Sequence, residues 1–218
     1  VSSVKRICAS HSIGVSCIGS PVGKTTIEIP IEKELKNLDR IFKIALSLET
    51  NRVRVFAFYP PDKDQSRDKQ EYVSEATDRL ALMARRAELH NMLLLLENDR
   101  GLIGDTPERC HDILTTVDSP HLRYVWDTAN FVTVGVSHPT DRGWPMLGSF
   151  IEHVQVKDAS LSDRKTCVAG QGDAQVPELL GRLKESAYQG FLALEPHLDH
   201  AGPTTGFSGP DGMRRAAQ

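Results

Sequence analysis

The sequence lacks a CxxC pair, a run of like charges and a long apolar stretch, and each absence removes a class of function. Only four cysteines occur in 218 residues, Cys8, Cys17, Cys110 and Cys167, and their spacings fit no zinc or redox motif. They read as reduced thiols of a cytoplasmic protein. The formal net charge is −3 and no basic stripe is present. Phosphate backbones need clustered Lys and Arg, so nucleic acid is excluded as the main partner. No segment approaches the roughly 20 apolar residues of a membrane span. No GxGxxG occurs, and Ile18–Lys24 (IGSPVGK) lacks the P-loop spacing, which argues against a doubly wound nucleotide-binding fold. No signal peptide is visible, although a targeting segment upstream of the first residue stays open.

What is present is a repeated alternation. Short apolar runs lie at Val15–Ser20, Val53–Tyr59, Met92–Glu97, Leu122–Asp127, Ile151–Lys157 and Phe191–Glu195. They are rich in Val, Ile, Leu and aromatics and read as buried strands of a parallel sheet. Amphipathic stretches separate them. Leu35, Leu38, Ile41, Phe42 and Ala45 share one helical face, as do Val73, Ala76, Leu80, Met83 and Ala87. Thr106–Pro107–Glu108 and Pro177 read as helix starts.

Strand alternating with helix implies right-handed crossovers. The strands recur about every 35 residues, the spacing of βα units in a closed (β/α)8 TIM barrel. Six strands fit the third to eighth of such a barrel. Val1–His11 reads as the end of a helix and Gly209–Gln218 as the start of one. The expectation is one domain over residues 1–218, a barrel lacking its first two βα units and the end of its last helix. Such a piece would leave an open sheet edge and favour association, for example as a homo-oligomer.

Four of these runs carry a polar residue at the strand end: Glu97 in LLLLE, Asp127 in RYVWD, Gln155 in EHVQVKD and Glu195 in FLALE. In a parallel barrel the C-terminal strand ends converge on one mouth. Three carboxylates gathered there repel one another, and a divalent cation removes that cost. The bland alternative is that each acid caps the next helix or pairs with a surface cation. Oxygen donors favour Mg²⁺ or Mn²⁺, with Co²⁺ or Zn²⁺ as further choices. Strand alternation puts His153 one step beneath Gln155 and Lys157 one step above it.

Glu97–Asn98, Trp126–Asn130 (WDTAN), His153–Ala159 (HVQVKDA), Gly170–Asp173 (GQGD) and Tyr188–Leu198 together resemble the sugar phosphate isomerase/epimerase superfamily. It is also called the xylose isomerase-like, or AP-endonuclease-family-2, TIM barrel. Gly14–Lys24 is similar to the third strand and following loop of many members. The resemblance implies a metal held by Glu97, Asp127, Gln155 and Glu195, with Glu97 and Glu195 as the catalytic acid/base pair. Two positions depart from the ketose 3-epimerase pattern: Gln155 stands where His is usual, and Asn130 replaces a substrate-contacting His.

The implied activity is a metal-dependent isomerase or epimerase of carbohydrate metabolism, moving a proton next to the carbonyl of a keto-sugar or polyol. An inosose-type dehydratase on the same site is the alternative, and a barrel turned binding protein is a third. An AP endonuclease would need several His ligands and a basic DNA-facing surface, which the sequence lacks. Asn130, His153, Lys157, His197 and Lys24 are candidate substrate contacts. For His153 the competing role is a core histidine, and for Lys157 a solvent-facing one. His11, His90, His121, His138 and His200 read as surface or loop residues.

Overall fold

The computed structural model describes residues 1–61, 68–198 and 209–217; His200 lies outside them. Helix α1 (Ser2–Ser10) is followed by α2 (Ile31–Ser47). Leu38, Phe42 and Ala45 of α2 recur at i, i+4 and i+7 and are buried, giving one apolar stripe. Helix α3 (Val73–Leu89), preceded by a 3-10 turn at Lys69–Tyr72, buries Val73, Ala76, Leu80, Met83 and Ala87 on one face. Each such buried Leu or Met contributes about 1.5–3 kcal/mol.

The strands are β1 (Arg52–Val55), β2 (Leu93–Glu97), β3 (Leu122–Asp127), β4 (Ile151–Val156), β5 (Asp158–Ala159), β6 (Thr166–Cys167) and β7 (Phe191–Leu194). One sheet has the order β1-β2-β3-β4-β7, with β1–β2 and β4–β7 parallel; β5 and β6 form a separate antiparallel pair. Helices α4 (Pro107–Val117), α5 (Thr128–Thr133), α6 (Pro139–Leu147), α7 (Val176–Glu185) and α8 (Gly209–Ala216) complete the described chain. This is the α/β architecture expected from the alternation of elements.

The chain forms two compact units. One comprises Val1–Glu97, Leu102–Gly104 and Asp112–Tyr124. Leu94, Leu95 and Leu96 of β2 are all fully buried there, as a strand covered on both faces requires. In β1, Val53 and Val55 are buried and Arg52 and Arg54 less so. The other unit comprises Asn98–Gly101, Asp105–His111 and Val125–Gln218. Trp126 meets Phe131 edge-on there at 5.6 Å. A second apolar cluster joins Ala129, Val132, Ala159, Ala174 and Val176.

Two expectations are corrected. Val15–Ser20 is not a strand; it makes a single parallel bridge, Ile18 to Val53. The Ser20 amide turns back to the Ile18 carbonyl and Pro21 has no amide to donate, so the ladder stops. The run Phe191–Glu195 is a strand, but it is not buried: Phe191 and Leu192 are about half exposed at the sheet's edge. The β5–β6 hairpin and the short helix α5 have no apolar period long enough to announce them.

Candidate functional site

Asp127 ends β3, is fully buried, and is held from three directions. Its Oδ1 accepts from the amides of Ala129 (3.0 Å) and Asn130 (2.9 Å), capping α5. The bland capping role therefore holds for this oxygen. Its Oδ2 lies 2.7 Å from the Lys157 ammonium. Its backbone is clamped by Asn98, whose Nδ2 donates to the Asp127 carbonyl and whose Oδ1 accepts the Asp127 amide, both at 3.1 Å. Asn130, the substrate-contact candidate, instead donates from Nδ2 to the Asn98 carbonyl at 2.8 Å. Burial pushes the Asp127 carboxyl up to about 6; Lys157 opposes the rise and Glu195 adds to it.

Glu195 follows β7, and its amide donates to the Val156 carbonyl at 3.1 Å. A carboxylate oxygen of Glu195 and one of Asp127 lie within 4.8 Å of each other. Lys157 reaches both acids, with Nζ 3.9 Å from Glu195 Oε2. His197 is held in a left-handed backbone conformation, φ 46°, with Nε2 3.3 Å from Glu195 Oε1. The Thr166 hydroxyl fixes the His197 carbonyl at 2.7 Å.

Gln155 is buried on β4, and its Oε1 has no hydrogen-bond partner among the described residues. A neutral acceptor left this way costs about 1–3 kcal/mol. A hard cation is the kind of group that would satisfy it, so this donor set fits one. His153, two residues before Gln155, is buried with its ring 6.1 Å from Phe191. That contact supports its core role.

The other unit holds Glu97 and Lys24. Glu97, the last residue of β2, is buried with Oε2 3.0 Å from the Arg54 guanidinium. Lys24 is exposed and sits over the Phe56 ring at 4.3 Å.

Two contributors carried no assigned role in the sequence. One is Asn98, noted only as part of the Glu97–Asn98 motif. The other is Asp158, noted only as lying beside Lys157 just past the strand; it is fully buried on β5. Its Oδ2 accepts from the amides of Gly170 (2.8 Å) and Gly172 (3.0 Å), and its Oδ1 from Ala174 (3.0 Å). The GQGD loop is thus wound around one carboxylate. A Cβ at Gly172 would sit 2.3 Å from Asp158 Oδ1, so only glycine fits. The Cys167 thiol is pushed up to about 11 by burial and by Asp158, Asp173 and Asp163, so it stays protonated at neutral pH. No helix among the described residues is long and apolar enough to cross a membrane.

A 3-dehydroshikimate dehydratase of Bacillus anthracis is 27% identical over 139 residues, 63% of this chain and 48% of that protein. The chain spans about half the length of the curated relatives it matches. A solved D-tagatose 3-epimerase-like protein superposes with a TM-score of 0.75 at 20% identity, covering 99% of this chain and 79% of its own. The IOLI protein with a binding zinc atom gives the same TM-score at 18% identity, with the same coverage of both chains. All of residues 1–218 match the family described as xylose isomerase-like TIM barrel, and the chain belongs to that family.

Proposed function

We propose that this protein is a metal-dependent isomerase or epimerase acting next to the carbonyl of a keto-sugar or polyol, with Glu97, Asp127, Gln155 and Glu195 as the metal ligands. The observation that carries the reading is the buried, partnerless Gln155 Oε1 on the strand beside those ending in Asp127 and Glu195. An amide oxygen and carboxylates form a hard donor set, which favours Mn²⁺ or Mg²⁺ over Co²⁺ or Zn²⁺. The zinc recorded for the IOLI protein supports a metal on this fold.

When bound, the cation supplies Lewis-acid polarisation of the substrate carbonyl. Asp127 supplies charge at a fixed point, because Asn98 and α5 hold it. Glu195 keeps His197 within reach of one oxygen, so it can change protonation state with a partner at hand. In our reading Glu97 and Glu195 exchange the proton at the carbon next to the carbonyl. Return to the same carbon from the opposite side gives epimerisation; return to the neighbouring carbon gives isomerisation. Loss of hydroxide instead gives dehydration. That second reading is favoured by the similarity to the Bacillus anthracis dehydratase. Asn130 serves the backbone around Asp127, and His197 is the better candidate for a substrate oxygen.

The test is a screen of keto-sugars, polyols and dehydroshikimate with the full-length protein in deuterated buffer. Deuterium entering the substrate carbon is the expected result. Glu97→Gln and Glu195→Gln should each keep the fold and lower turnover at least about 10²-fold. Full exchange in either variant would remove that residue from proton transfer.

A further inference from the structure

The feature of the site that the proposed chemistry leaves unexplained is Lys157. Its side chain is almost completely buried, yet an ammonium is costly to bury without paired charge. Two of the acids we assign to the metal pair with it: Nζ is 2.7 Å from Asp127 Oδ2 and 3.9 Å from Glu195 Oε2. The backbone of Lys157 is fixed as well. The Thr128 hydroxyl donates to the Lys157 carbonyl and accepts the Lys157 amide at 2.8 Å, so position 157 is tied to the first residue of α5. The aliphatic stem, by contrast, has four rotatable bonds and can carry the ammonium elsewhere without moving that backbone.

We propose that Lys157 is a resident counter-cation of the metal site, neutralising Asp127 and Glu195 in the metal-free protein and leaving them when a divalent ion binds. The inference rests on the metal reading given above. Asp127 Oδ1 is already taken by the Ala129 and Asn130 amides, so a divalent ion must approach Oδ2, the oxygen the ammonium holds at 2.7 Å, and the two cations repel each other there. The ammonium therefore competes with the metal. It keeps the buried acids compensated when metal is absent, and it lowers metal affinity. Once displaced, it is free to meet a substrate oxygen.

Two measurements on the full-length protein test this. Amine acylation read by mass spectrometry on the peptide carrying Lys157 should be slow without metal. It should rise at least about tenfold with saturating Mn²⁺, as expected for an ion-paired amine released to solvent. By calorimetry, Lys157→Met should bind Mn²⁺ at least about tenfold more tightly than the unsubstituted protein. The labelling arm needs no variant, so it decides the matter even if Lys157→Met fails to fold. Mn²⁺ binding with unchanged Lys157 labelling would overturn the counter-cation role and leave the metal reading standing. No uptake of Mn²⁺ or Mg²⁺ by the unsubstituted protein would overturn both.

Discussion

Asp127 and Glu195 end strands of the same sheet, but their surroundings differ. Asp127 is fully buried, its backbone is clamped by Asn98, one oxygen caps α5 and the other meets Lys157. Glu195 follows an edge strand whose residues Phe191, Leu192 and Leu194 are 48%, 52% and 39% exposed, and its own side chain is 27% exposed. The first acid is a fixed charge that the fold requires. The second is partly exposed and has partners suited to proton transfer. On the proposed reading both acids hold the cation, and the difference suits Glu195 rather than Asp127 to proton transfer as well.

Removing each acid sharpens this contrast. Asp127→Ala takes away a helix cap and the nearer of the two carboxylates beside the buried Lys157. It should cost about 3–5 kcal/mol, the scale for breaking a buried ion pair. Glu195→Ala should cost less than about 1 kcal/mol, as for a partly exposed pair. Denaturant unfolding of the two variants checks both; equal losses would erase the distinction. Asn98→Ala should fall between them, at about 1–3 kcal/mol, because it strands the buried Asp127 amide and carbonyl. It should also weaken metal binding, a readout that loss of packing alone would not move.

Gly172→Ala tests the neighbouring loop. A Cβ there meets Asp158 and the Ala159 carbonyl, so a loss of about 1–3 kcal/mol is expected by thermal unfolding.

The smallest effect is in pH. Asp127 is raised from 3.8 to about 6, so the folded metal-free protein binds that proton more tightly than the unfolded chain does. Its contribution to stability is fully present below pH 3.8 and is lost as pH rises through about 6. A bound cation needs the carboxylate ionised, so metal affinity should run the opposite way and fall as pH drops below about 6. Calorimetry across pH 5–8, the range around that value, checks the sign.

The strand-end acids and the faces of α2 and α3 were legible because each is a local pattern: an apolar run closed by a carboxylate, or apolar residues at helical spacing. What decides the state of Asp127 was not. Lys157 lies 30 residues further along, and Asn98 lies 29 residues earlier; nothing in either neighbourhood names the partner. The Asp158 loop is similar, since its acceptor and its donors belong to one turn only after the β5–β6 hairpin forms. The Val15–Ser20 run failed as a strand because a single bridge does not need alternation. The capping alternative raised for each strand-end acid holds at Asp127, but α5 itself is too short to show an apolar period.

The most direct measurement is Mn²⁺ titration of the full-length protein by calorimetry, alongside Asp127→Asn, which keeps the capping oxygen and removes the charge. Saturable binding by the unsubstituted protein and a loss of at least about 10²-fold in affinity in the variant are expected, since changing even an outer-shell partner of a metal ligand costs about 10–100-fold. Equal binding by the two proteins, or none by either, would contradict the metal reading.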